Sequence, residues 1–468
     1  DLDDSPMFWN CVCGPMLGCL FAIAMFAGPL PAQHAPPPLG KGTTEALVGR
    51  YEASEHWVQK AVVLLSLNQY WHPVGNQMIL SAIRDSDTRL KAFGLEALLR
   101  SDQELLPKLA TKELLDELIG KQIGKKNAHF KKRVGEALEL LVPTAGASKK
   151  SEWASWWRKN KDAHQPEAWQ PREQPKAAGG GTSAAAQRAF DLYQSGLDLM
   201  LCLDSTGSMQ PTIDALAVAL GEMAGILSGV SPKLRVGVVH YKDNDELGKH
   251  GAEVVQPLSK NIKGTRKKLE KMRAIGGGDL PEAVLGGLDM ALSQKMKWHA
   301  NANKIAILIG DAPPHPDEKQ QAIDLVRAAY EKPGSQHDKK PTTGVRKPQK
   351  PYLTSAIGVF LKIAPNVRVG PGFAEFKKSQ ETMRKAFKEI ATAGGGVYVE
   401  VEFLIDGSPP PTSKEKREAK KKGGGVASKA TREIVEHILV LSFGERFKVE
   451  MEEFVRIFYE YKEAGLIK

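Results

Sequence analysis

Residues 199–209 read LMLCLDSTGSM: five apolar side chains, one carboxylate, then Ser205, Thr206 and Ser208 within four residues. The apolar run has strand length and does not alternate, as in a strand covered on both faces. Its polar end has two readings on these residues alone. Asp, Ser and Thr are helix-capping types and could simply start the next helix. They are also hard oxygen donors packed into one turn, the donor set that Mg²⁺ or Mn²⁺ takes.

Outward from this stretch the texture repeats. Apolar runs at 197–203, 234–241, 304–310, 353–360 and 396–402 read as buried strands, and amphipathic helices fit 211–228, 262–273, 281–294, 318–330 and 374–393. Strands alternating with helices predict an α/β fold: a Rossmann-like, open, mostly parallel sheet with helices on both faces. The run AEVVQPL (252–258) follows the second strand with no helix between, so it is expected as an antiparallel edge strand. In such a sheet the ligand crevice lies beyond the carboxyl ends of the strands. Three loops meet there: Asp204-x-Thr206-x-Ser208, the glycine turn 276–278 with Asp279 opening a helix at Pro281, and Gly310-Asp311-Ala312-Pro313-Pro314.

With these three loops in place, residues 196–405 resemble a von Willebrand factor type A (VWA) domain. The metal-ion-dependent adhesion site (MIDAS) of that family uses an Asp-x-Ser/Thr-x-Ser loop, a Thr from a second loop and an Asp after a later strand. Asp204, Thr206, Ser208 and Asp311 match it, while Asp279 stands where the Thr is expected, as in a bacterial-type GGGD variant. The resemblance implies a metal site of Asp204, Thr206, Ser208, Asp279 and Asp311 holding a divalent cation. Mg²⁺ is the first choice, with Mn²⁺ or Ca²⁺ as alternatives. A partner protein would then complete the ion's shell with a carboxylate. Asp243, Asp245 and His315 are expected on the rim of the site, whereas His240 and Tyr241 read as buried strand-end residues.

Catalytic motifs fail by contrast. Thr206 occupies the place where an Asp-x-Asp phosphatase needs its second carboxylate, Gly-x-Ser-x-Gly is absent around Ser208, and no Cys/His group has zinc spacing. A non-enzymatic binding protein of the adhesion type is therefore expected. The rivals are an accessory subunit of an ATPase or metal-insertion complex, and a scaffold with a vestigial metal site.

The remaining chain supplies context. Residues 43–160 read as all-helical, and Glu96-Ala97-Leu98 is answered forty residues on by Glu136-Ala137-Leu138. The segment loosely resembles HEAT repeats. Residues 161–188 and 406–428 read as linkers, the second one basic, and 429–468 as amphipathic helix that docks on the sheet domain or meets a partner. The apolar run 16–30 suits the core of a signal peptide within 1–33, or an N-terminal membrane anchor. An exported protein follows from that reading, and membrane attachment through the same segment is its alternative. Beyond the leader Cys202 is the single cysteine, set inside a strand. The net charge of +10 sits partly in lysine-rich stretches without interleaved aromatics, so no nucleic-acid partner is expected.

Overall fold

A computed structural model describes residues 41–67, 75–101, 106–168, 183–244, 246–247, 249–277, 280–332, 350–365, 373–405 and 429–467. The leader 1–33, residues 169–182, the central part of the basic insertion (333–349) and the linker 406–428 lie outside the described residues.

The stretch at 199–209 becomes the middle of a six-stranded sheet. The strands are β1 (Leu197–Asp204), β2 (Arg235–Tyr241), β3 (Ala252–Ser259), β4 (Asn303–Gly310), β5 (Tyr352–Ile363) and β6 (Gly395–Ile405), in the order β3-β2-β1-β4-β5-β6. All neighbours are parallel except β2 and β3, which pair antiparallel. The α/β expectation and the antiparallel edge are both present. All eight residues of β1 are buried, which explains its unbroken apolarity.

The period of two along β1 sorts its side chains between two cores. Leu199, Leu201 and Leu203 face one side with Val236, Ile305, Ile307 and Val359. Met200 and Cys202 face the other with Tyr241, Ala306, Leu308 and Phe387. The second side is covered by α12 (Val284–Leu292), α13 (Lys319–Glu331) and α14 (Phe373–Ala393). The first is covered by α10 (Gln210–Val230), α11 (Ile262–Lys271) and the C-terminal α15 (Lys429–Phe443). Helix α10 is long and apolar enough to cross a membrane by composition, yet it lies mostly buried between the sheet and further helices.

Those further helices come from the N-terminal part: α1 (Lys41–Ala53), α2 (Trp57–Ser66), α3 (Asn76–Arg84), α4 (Thr88–Leu99), α5 (Leu106–Leu109), α6 (Lys112–Glu117), α7 (Ala128–Leu141), α8 (Lys150–Asn160) and α9 (Ser183–Ser195). The last helix, α16 (Lys448–Glu463), returns to them. Phe454 and Phe458 stack on Trp57 with ring centroids 5.8 and 6.1 Å away, and Phe93 lies 4.7 Å from Phe454. The C-terminal amphipathic faces are thus spent inside the chain, on the sheet layer through α15 and on the N-terminal helices through α16.

A buried polar knot accompanies this packing. Glu96, wholly buried, accepts two hydrogen bonds from Arg133 (2.7 and 2.5 Å) and one from the Tyr461 hydroxyl (2.7 Å). Burial pushes its carboxyl up, but these donors outweigh burial and hold it below the usual range.

Candidate metal centre

The site begins where β1 runs out. Ser205 is held to the neighbouring strand by its backbone N–H, which donates to the Tyr241 carbonyl at 2.9 Å. The chain then turns back on Asp204: the Thr206 N–H (2.9 Å) and the Thr206 hydroxyl (2.7 Å) both donate to Asp204 Oδ1. A short 3₁₀ turn, Gly207–Met209, leads into α10. Neither this turn nor α10 has a side-chain cap hydrogen bond, so the loop's polar groups turn on one another instead of capping the helix. Because the Thr206 hydroxyl gives its proton to Asp204, its oxygen lone pairs remain to accept a hydrogen bond or meet a cation.

The second loop is tied down from two sides. Gly207 N–H donates to the Gly276 carbonyl (3.1 Å), and Gly277 N–H donates to Glu246 Oε1 (2.9 Å). Lys242 Nζ, nearly buried, donates to the Ile275 carbonyl at 2.6 Å. Gly276 and Gly277 have φ of +84° and +78°, and a Cβ on Gly277 would stand 2.8 Å from Thr206 Cβ. Only glycine gives both that backbone and that approach. The third loop follows β4, where Asp311 lies buried beside the Ser208 hydroxyl.

Two carboxylates therefore converge with two hydroxyls. Asp204 Oδ2 and Asp311 Oδ2 are both buried and have no hydrogen-bond partner. Burial and then repulsion from Asp311 raise Asp204 to about 7, against the pull of the Thr206 donors. Burial raises Asp311 to about 6, with Ser208 opposing. Two such oxygens without donors carry a desolvation penalty that a cation would remove.

The structure adds a residue the sequence reading passed over. The helix after the glycine turn starts at Val284, three residues later than expected, because Pro281 and Glu282 are drawn out along the third loop. Glu282 N–H donates to the Pro313 carbonyl at 2.9 Å, and Glu282 bridges to Pro314. Its side chain is buried with Oε2 unpartnered, and Oε1 lies 3.4 Å from where a Gly277 Cβ would be. Burial, then the charges of Asp204, Asp243, Glu246 and Asp311, push Glu282 up to about 9. Among the described residues no three carboxylate, imidazole or thiol groups converge closely enough to hold an ion by themselves. Glu282 thus stands one step behind the Asp204–Asp311 pair, and hydroxyls must complete any shell.

Of the remaining expected residues, Asp279 and Asp245 lie outside the described residues. Asp243 and His315 are brought together across two loops, Oδ1 to Nε2 at 2.9 Å, and Asn244 donates to Glu318 at 3.2 Å beside them. Tyr241 is buried as expected, whereas half-buried His240 shares a 2.9 Å hydrogen bond with the Ser205 hydroxyl.

With the geometry in place, likenesses to known proteins can be set beside it. No family model matches the chain. A stretch of 130 residues is 32% identical to a protein described as alpha-protein kinase vwkA of Dictyostelium discoideum, covering 27% of this chain. The match spans only 20% of that protein's length. Among solved structures the chain is similar to BatB from Bacteroides thetaiotaomicron, at 16% identity and a TM-score of 0.30, over 48% of this chain and 97% of that one. It is similar to the SpRpn10 VWA domain at 10% identity and 0.28, over 49% and 97%. It is also similar to mussel-byssus proximal thread matrix protein 1 with a zinc-occupied MIDAS motif, at 14% and 0.28, over 45% and 43%. The fold class rests on the strand order and registers given above.

Proposed function

We propose that the protein is a VWA-type binding protein whose contact with its partner runs through a divalent cation. The observation that carries this reading is the pair of buried, donor-less oxygens, Asp204 Oδ2 and Asp311 Oδ2, flanked by the Thr206 and Ser208 hydroxyls at the ends of adjacent strands. Asp204 and Asp311 would hold the ion with Thr206 and Ser208, with Asp279 entering from the second loop and Glu282 supporting from behind. The cation would supply a Lewis-acid contact for an oxygen of the partner. The neutral Thr206 and Ser208 hydroxyls add no charge to that of Asp204 and Asp311 and leave positions in the shell for a carboxylate from outside, whereas the charge of Asp279 would weaken that pull. Asp243 and His315, paired across two loops, would meet the partner's neighbouring residues.

Binding rather than catalysis is proposed because, among the described residues, the site assembles a charge and no activated nucleophile. Ser205 has a histidine partner, but it is fully buried. The apolar run 16–30 supports export, and the N-terminal helices serve as the platform that carries the site.

The test is calorimetric titration of Mg²⁺ and Mn²⁺ into the full chain, with Asp204→Ala as control, followed by capture of partners from an exported fraction with and without chelator. Heat in the wild type alone supports the reading. A silent wild type removes the cation from it.

A further inference from the structure

One side of the helical part carries charge that the cation site does not use. Residues 118–135 hold six Lys or Arg and no Asp or Glu. Arg133 is spent on Glu96 and Glu136. The acid just before this stretch, Glu117, is turned inward against Arg84, Lys121 and Gln122. Lys125 and Lys126 are exposed around the turn between α6 and α7, and Lys121, also exposed, is shared with Glu117. The start of α8 adds Lys149 and Lys150: Lys150 Nζ lies 2.8 Å from where a Gly124 Cβ would stand, so it reaches over the same turn. On the other flank, Lys91 is depressed by burial and then by the charge of Lys125, with Glu117 and Asp85 opposing.

We propose that this lysine cluster around residues 121–126 and 149–150 docks on an anionic lipid surface. A bilayer fits it better than a nucleic acid. Of the aromatic side chains of α7 and α8, Phe130, Trp153 and Trp157 are buried, and half-buried Trp156 is already packed on Trp153 and Trp157, so they make a poor stacking platform for bases. The chain also carries the apolar run 16–30, and an inserted apolar segment together with a basic patch is the pair of signals that makes membrane binding firm. Each lysine near an anionic leaflet strengthens binding by roughly fivefold, and the attraction fades within a Debye length of about 8–10 Å. Clustering on one face is therefore what this role needs.

The experiment is co-sedimentation of the full chain with phosphatidylcholine vesicles, with and without phosphatidylserine. The wild type is compared with the quadruple variant Lys121→Gln, Lys125→Gln, Lys126→Gln, Lys150→Gln and with its Lys→Arg counterpart. The plain vesicles report whatever the apolar run contributes. We expect phosphatidylserine to raise binding of the wild type and of the arginine variant, and the glutamine variant to lose about a hundredfold or more of that gain. Unchanged melting of the glutamine variant separates lost docking from lost folding. Two results overturn the inference: a glutamine variant that keeps the phosphatidylserine preference, or duplex DNA displacing the wild type from the vesicles at equal phosphate. Neither depends on Mg²⁺, so the outcome is independent of the cation site.

Discussion

Replacing Asp311 by Asn gives the candidate metal centre its sharpest test, because the predicted effect changes sign with the cation. Asn keeps the size of the side chain and removes its charge. In the metal-free protein the Asp311 carboxyl is raised by burial from 3.8 to about 6. A raised carboxyl favours the neutral folded form: the stability it contributes is present below pH about 4 and is lost as pH rises through about 6. At pH 8 the folded protein therefore carries the cost of a buried, ionised carboxylate without a partner, roughly 1–3 kcal/mol. Asp311→Asn relieves it, so in chelator at pH 8 the variant should be the more stable chain by roughly 1–3 kcal/mol, with the difference shrinking toward pH 4. With Mg²⁺ at a hundred times its dissociation constant the wild type gains about 2.7 kcal/mol, and the variant should gain little. Urea unfolding followed by far-UV circular dichroism, at both pH values with chelator or Mg²⁺, reads all four corners. A variant less stable than the wild type in chelator at pH 8 would refute the electrostatic account. An equal Mg²⁺ gain in both would remove Asp311 from the site.

Three further outcomes follow from particular contacts. Arg133→Ala strips Glu96 of its main partner and should destabilise by about 3–5 kcal/mol in denaturant unfolding, because it strands a buried charge. The paired Glu96 is held below its ordinary range, so its contribution is present above pH about 4.5 and falls away in acid, an acid sensitivity the variant should lack. Gly277→Ala forces a side chain onto a φ of +78° and against Thr206, so it should weaken Mg²⁺ binding at least tenfold in calorimetry and destabilise by about 1–2 kcal/mol. Trp57→Ala removes the ring on which Phe454 and Phe458 stack, and should cost about 3–5 kcal/mol and open the C-terminal helix to limited proteolysis ahead of the sheet.

Much of the sheet was legible because its signals are local. The unbroken apolar run of β1, the helix between most strands and its absence before 252–258 are all properties of neighbouring residues, and they give the parallel core and the antiparallel edge. Asp204, Thr206, Ser208 and Asp311 were legible for the same reason: each closes or follows a strand, and strand ends in a parallel sheet share a pole. Glu282 was not. Within its own segment it reads as an acid in the first turn of a helix, and only its pairing with Pro314, some thirty residues on, pulls it straight and buries it. Trp57 and Phe454 show the same limit. Each advertises an apolar face, and nothing within either helix says that the other, nearly four hundred residues away, will cover it.

The layering of helices over one side of the sheet bears on how the molecule can be divided. Cutting out residues 190–405 would strip α15, α16 and the N-terminal helices from α10 and uncover the face that carries Glu222 and Gly229, which meets Tyr459, Lys462, His56 and Val58. A fragment with that face exposed is expected to be less soluble than the whole chain. The smallest piece that keeps this face dry is close to residues 38–468, the single compact body that contains all the described elements. In this chain, modular as its sequence looks, the loop end of the sheet and its supporting helices belong to one body.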